Sequence, residues 1–269
     1  MALKDITLGQ YFPGHSIVHR LDPRTKLISV VLYIVSLFLA NWFITYIINF
    51  AVLAGAIALS RVPPKSILRG LKPILFIVAF TAVLNIFYTP GSTVLAHFWI
   101  FTITLEGVWR AFFMVVRIMM LISGTFLLTY TTSPILLTDG LEALLSPLKK
   151  VKVPVHELSM MMSIALRFIP TLIEETDKIM SAQRARGADF ESGNLIQRAK
   201  ALLPLLVPLF ISAFRRADEL ATAMECRCYH GGEGRTRLRQ LKYQMRDYVT
   251  LVLFLAVTAA TGILSHFGL

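Results

Sequence analysis

Charged side chains are missing from four long stretches of this chain. No Asp, Glu, Lys or Arg occurs from Leu27 to Ser60, from Pro73 to Leu105, from Ile118 to Thr138, or from Tyr248 to Leu269. A helix needs about 20 mostly apolar residues to cross the hydrocarbon core of a bilayer. Inside that core the backbone must satisfy its own hydrogen bonds, so apolar stretches of this length point to a bundle of membrane-spanning helices. Composition agrees. Only 16% of the residues are charged and 55% are hydrophobic, whereas an ordinary soluble domain carries about 25% charged residues.

The first stretch is too long for one straight helix and is interrupted at Asn41-Trp42. It divides into spans near 25–41 and 42–60, followed by spans near 67–88, 107–131 and 246–267. The expected fold is an all-α polytopic membrane protein with about five transmembrane helices. Basic residues set its orientation. Arg20, Arg24 and Lys26 precede the first span, and Arg61, Lys65, Arg69 and Lys72 lie between the second and third. The 88–106 loop has no Lys or Arg. The positive-inside rule then places the N-terminus, the 61–72 loop and the long 133–246 region in the cytoplasm, with the C-terminus outside. All five spans obey this alternation. The first 26 residues lack the apolar core of a secretory signal. The net charge of +11 is accounted for by topology and anionic lipid, and does not call for nucleic acid.

At the first span, Asp22-Pro23 reads as an N-cap followed by a first-turn proline, with Arg24 and Lys26 expected at the headgroups. Residues 133–245 behave differently from the spans. Apolar residues there are broken up by charges, which predicts amphipathic helices near 134–148, 155–186 and 193–228. The domain organisation expected is a membrane region over 1–132, cytoplasmic helices over 133–245 and a last span over 246–269.

The second and third of these helices end alike. One closes on Ala182-Gln183-Arg184-Ala185-Arg186-Gly187, the other on Ala223-Met224-Glu225-Cys226-Arg227-Cys228. Arg186 and Arg227 each stand between two small residues. Each follows an Asp by nine positions and an Ala by four. Small neighbours let another surface approach the backbone, and guanidinium offers a planar fork of donors. A basic residue at one helix C-terminus is common, because it complements the dipole. Two ends with the same spacing favour docking by Ala185, Arg186, Gly187, Cys226, Arg227 and Cys228 onto a partner.

Arg117 lies in the fourth span, about 15 Å deep. A charge at that depth is costly and faces protein or water. A structural bond to a neighbouring helix or partner subunit is favoured over a substrate contact. Cys226-Arg227-Cys228-Tyr229-His230 superficially resembles a metal site. No second cysteine pair exists and structural zinc takes four ligands, so no metal is assigned. The methionines, including Met160-Met161-Met162, suit either an adaptable contact surface or plain packing. There is no Gly-Lys dipeptide, hence no P-loop. Nor is there a Ser/His/Asp or His-Glu-x-x-His arrangement, so the chain itself is expected to be non-catalytic.

Five segments carry a resemblance to a known family: Leu21-Asp22-Pro23-Arg24-Thr25-Lys26-Leu27, Thr131-Thr132-Ser133-Pro134, Arg167-Phe168-Ile169-Pro170, Ala185-Arg186-Gly187, and Met224-Glu225-Cys226-Arg227-Cys228-Tyr229. The chain resembles the transmembrane T-component of energy-coupling factor (ECF) transporters, which is related to the membrane subunit of cobalt and biotin uptake systems. The resemblance implies a prokaryotic plasma-membrane importer for vitamins or metal ions. It implies two ABC-type ATPase subunits holding ATP and Mg, with Arg186 and Arg227 seated in their grooves, and one or more membrane-embedded substrate-binding S-components. The unequal tips point to two different ATPases. Cys226-Arg227-Cys228 departs from the commoner Ala-Arg-Gly form while keeping its arginine. Two competing readings are a secondary transporter binding its own solute near Arg117, and a membrane scaffold without transport. Secondary transporters show repeats among their spans, whereas the repeat here lies outside them.

Overall fold

The computed structural model describes residues 11–90, 93–98, 101–190, 194–231 and 240–267. The helices are α1 (Pro23–Leu39), α2 (Phe43–Ser60), α3 (Pro64–Tyr88), α4 (Leu105–Thr131), α5 (Pro134–Leu145), α6 (Val155–Ala185), α7 (Leu195–Glu225) and α8 (Met245–Phe267). A 3₁₀ turn, Ser146–Val151, follows α5. The segment between α3 and α4, expected as a loop, contains an antiparallel hairpin of β1 (Val94–Phe98) and β2 (Phe101–Thr104). β-Branched and aromatic residues between two helix ends explain it. Gly91 and Ser92 lie outside the described residues.

The chain forms two compact units, Gly9–Leu141 with Leu241–Leu269, and Glu142–Gln240. The first holds the membrane helices. α2, α3, α4 and α8 are long and apolar enough to cross a bilayer. α1, the fifth expected span, has 17 residues, about 25 Å of helix. It packs against α2, α4 and α8. Its opposite face, with Val31, Val35 and Phe38, is exposed and apolar.

α1 starts as its residues dictate. Asp22 accepts the Arg24 backbone N–H at 2.9 Å, and Pro23 occupies the first turn, where no donor is required. Asp22 in turn donates its own N–H to Asp247 Oδ1 at 2.8 Å, tying the start of α1 to the start of α8. Lys26 departs from expectation. Its ammonium is buried, donating to the Thr131 carbonyl at 2.8 Å, Thr132 Oγ1 at 3.2 Å and the His19 carbonyl at 3.2 Å. A lysine with three oxygen partners inside the bundle has no need of headgroups. Arg24 remains at the rim, 3.1 Å from Asp22 and 4.1 Å above the Tyr243 ring.

Deeper in the bundle, α1, α2 and α8 meet through hydroxyl and amide groups. Ser36 Oγ donates to Asn49 Oδ1 at 2.7 Å and lies 3.0 Å from Thr261 Oγ1. All three residues are fully buried. In a bilayer, apolar burial between helices gives little driving force, so such bonds and close packing hold helices together. Gly124 on α4 supplies close packing: a Cβ there would lie 2.8 Å from the Tyr33 ring of α1. Around these contacts sit Tyr33, Leu37, Tyr46, Leu53 and Met120. Replacing Asn49 by Ala should lower the stability of the bundle by about 1 kcal/mol, read as a lower midpoint in detergent unfolding. An unchanged midpoint would mean that the Ser36–Asn49–Thr261 cluster contributes nothing.

Candidate functional site

In the second unit the two arginine tips adopt one backbone motif. At the end of α6, the Ala188 N–H donates to the Gln183 carbonyl and the Gly187 N–H to the Arg184 carbonyl, both at 3.0 Å. At the end of α7, the Tyr229 N–H donates to the Met224 carbonyl at 3.0 Å and the Cys228 N–H to the Glu225 carbonyl at 2.8 Å. This pair of nested bonds is the Schellman helix end. Arg186 and Arg227 are the capping residues of the two ends, and Gly187 and Cys228 take the left-handed position, with φ of +87° and +53°. The two tips therefore correspond residue for residue in backbone geometry as well as in sequence spacing.

The second small residue of each tip, Gly187 or Cys228, has a physical reason. Glycine at that position carries no Cβ penalty. Cysteine there costs about 1 kcal/mol or more in a left-handed conformation. Ala185, Arg186, Gly187, Cys226, Arg227 and Cys228 are all exposed, and both cysteines are free thiols. No heavy atom lies within 4 Å of a Cβ built on Gly187, so the tip is open to a partner surface.

α6 and α7 each run for 31 residues, about 46 Å. Pro170 lies within α6, and Pro204 and Pro208 within α7, each removing one ladder donor. The helices cross at Arg216, whose Nη2 donates to Glu175 Oε2 at 3.0 Å. The Ser212 hydroxyl, and then Arg216, hold the Glu175 carboxyl below its ordinary range. Beyond this crossing the helices run antiparallel, because Tyr229, just past α7, returns to the first turns of α6. Its hydroxyl donates to Met160 Sδ at 3.1 Å and lies 3.5 Å from His156 Nε2. His156 Nδ1 is 3.0 Å from the buried Glu142 Oε1. Each arginine stands eleven residues past its own helix's member of the 175–216 pair, about 16 Å of helix. The tips thus project from opposite ends of the helix pair.

The Glu142–His156–Tyr229 chain was not anticipated. Its members are 14 and 73 residues apart, and nothing in their local pattern joins them. The left-handed Cys228 was legible in principle, because it aligns with a glycine just past a helix end. Met160 packs as a hydrogen-bond acceptor, and Met120 is buried in the membrane core.

Arg117 does not share this site. It sits in the first unit, where its Nε donates to Tyr46 Oη at 2.9 Å and its Nη2 to the Ala40 carbonyl at 2.7 Å. Ala40 caps α1, so the guanidinium closes a helix end inside the bundle.

The fold and the paired tips define a polytopic membrane subunit that presents two equivalent, exposed helix ends. Comparison with known sequences agrees. The cobalt transport protein family CbiQ matches residues 14–238. The energy-coupling factor transporter transmembrane protein EcfT of Clostridium kluyveri is 58% identical over 248 residues, 92% of each chain. The EcfT proteins of Ruminiclostridium cellulolyticum and Bacillus subtilis are 56% and 51% identical, covering 91% of each chain, and 96% of this chain with 97% of the relative, respectively. The chain belongs to this family, the transmembrane components of ECF transporters.

Cys228→Gly should relieve the left-handed penalty and Gly187→Ala should introduce one. Amide exchange at the α7 end should slow by roughly fivefold in the first, and exchange at the α6 end should quicken by a similar factor in the second, for about 1 kcal/mol each. Arg117→Gln should lower thermal stability by about 1–3 kcal/mol, because it withdraws donors from the buried end of α1. Detergent unfolding of the variant measures this. Full stability would remove Arg117 from the scaffold.

Proposed function

We propose that this subunit couples ATP hydrolysis to solute import. Arg186 and Arg227 each enter a groove on one of two ABC-type ATPase subunits, which hold ATP and Mg. α6 and α7 carry the motion of those ATPases to one or more membrane-embedded S-components that bind a vitamin or metal ion. The chain binds no cofactor of its own and catalyses nothing. Its N-terminus and the 133–246 region face the cytoplasm, and its C-terminus lies outside, as the basic residues of the loops require. The difference between Gly187 and Cys228 at otherwise equivalent tips fits two non-identical ATPases.

One observation carries this reading above the others: two exposed arginines capping long antiparallel helices through the same backbone motif, at opposite ends of the pair. Two copies of one device suit two copies of one kind of partner. A solute site at Arg117 is less favoured, since its guanidinium already serves Tyr46 and Ala40.

Truncating a buried, charge-paired arginine at an interface costs about 2–5 kcal/mol. Arg186→Ala or Arg227→Ala should therefore weaken ATPase binding by at least about 30-fold or abolish uptake with ATPase activity intact. Lysine should restore function only in part, because it lacks the planar fork. Purification of the wild-type and variant chains from native membranes, with mass spectrometry of their partners and an uptake assay, tests this. Normal uptake in the double alanine variant would refute it.

A further inference from the structure

A cavity of the first unit lies between α1, α2, α4 and α8 and has a volume of about 760 Å³. Its walls are almost wholly apolar. Val30, Val52, Leu127, Val249 and Phe254 contribute to them, and a narrower extension reaches Tyr33. The α8 wall runs from Met245 to Phe254, about 14 Å of helix, which is close to half of the roughly 30 Å hydrocarbon core. All four helices meet the cavity at the same side of the bundle: the first turns of α1 and α8 and the last turns of α2 and α4. The cavity is one leaflet deep.

Two features separate it from an ordinary lipid-facing surface. First, the Ser29 and Tyr33 hydroxyls are buried without hydrogen-bond partners, and both residues line the cavity or its extension. An unpaired buried hydroxyl is costly in a medium without water. Second, the rim is basic. Arg246 lines it and is exposed, while Arg20 and Lys242, both exposed, lie within a few residues of the lining residues Leu21 and Met245. Nearby acids are already engaged: Asp22 with Arg24, and Asp247 with the backbone N–H groups of Asp22 and Gln244. The rim is therefore complementary to an anion.

We infer that this cavity is a specific site for an anionic phospholipid. One acyl chain lies between α2, α4 and α8, and its headgroup meets Arg246. The site lies in the cytoplasmic leaflet if the proposed orientation holds. Its occupancy is independent of whether the arginine tips bind ATPases.

Gly55 lines the cavity on α2, and a Cβ added there meets nothing within 4 Å. Gly55→Leu would therefore fill the space without a clash, and leucine favours helix over glycine. The full chain, purified with its partners and delipidated in detergent, is titrated with phosphatidylglycerol or phosphatidylcholine and read by native mass spectrometry. The expected result is one phosphatidylglycerol per chain, preferred at least tenfold over phosphatidylcholine. Gly55→Leu should cut its retention at least tenfold at an unchanged unfolding midpoint, and Arg246→Gln should erase the headgroup preference. Phosphatidylglycerol with a diazirine in its acyl chain should label α2, α4 and α8 of the wild type beside the cavity. Equal binding of the two lipids, undiminished retention in Gly55→Leu at full stability, labelling confined to the exposed face of α3, or a partner polypeptide crosslinked in the cavity would each overturn the proposal.

Discussion

The absence of water from the bilayer core governs this structure. Every polar group carried into that core needs a partner within the chain, and the sequence carries many on α1. Thr25, Lys26, Ser29, Tyr33 and Ser36 are all buried there. α1 turns this polar face toward α2, α4 and α8, where Lys26 and Ser36 find partners, while the Thr25, Ser29 and Tyr33 hydroxyls have none among the described residues. Lys26 reaches the end of α4, Ser36 reaches α2 and α8, and the buried end of the helix at Ala40 is closed by Arg117. The arginine that looks out of place in the fourth span is thus part of the same accounting: a missing intrahelical donor at the end of α1 is replaced by one from α4.

The membrane helices and the paired tips were largely legible in the sequence, for different reasons. Spans near 42–60, 107–131 and 246–267 fall within two residues of α2, α4 and α8, because hydrocarbon thickness fixes their length and excludes charge. α3 starts a little earlier than expected, at Pro64, since a proline at the first helical position is favourable. The 3₁₀ turn after Leu145 ends α5 earlier than expected because Pro147 follows it within two residues. Lys26 was misplaced because charge near a span end is ordinarily a headgroup signal. Only the three oxygens gathered from two distant segments show that the ammonium turns inward. The Glu142–His156–Tyr229 chain was hidden for the same reason: it depends on how α6 and α7 fold back on one another.

The tips show how a short motif can be read as backbone physics. The repeated element is a helix end whose last carbonyls are consumed by the Schellman bonds and whose capping residue is an arginine. The negative end of the helix dipole favours a cation there. The next residue must accept a left-handed conformation, and both Gly187 and Cys228 do so. The flanking positions need only be small. This explains why Cys-Arg-Cys and Ala-Arg-Gly build the same end from different residues, and why the cysteines need no metal or disulfide role to account for their presence.

α6 and α7 are joined to one another at two places. Their joints are polar: the Arg216–Glu175 pair at the crossing, and Tyr229 seated on Met160 and His156. Tyr229 follows Arg227 by two residues, so the α7 tip is connected to the first turns of α6 and, through His156, to the buried Glu142. No equivalent aromatic follows Arg186, where position 188 is alanine. The tips are alike in what they present to a partner and unlike in what holds them from behind. The α7 tip is fastened to its neighbouring helix through Tyr229, a contact with no aromatic counterpart at position 188.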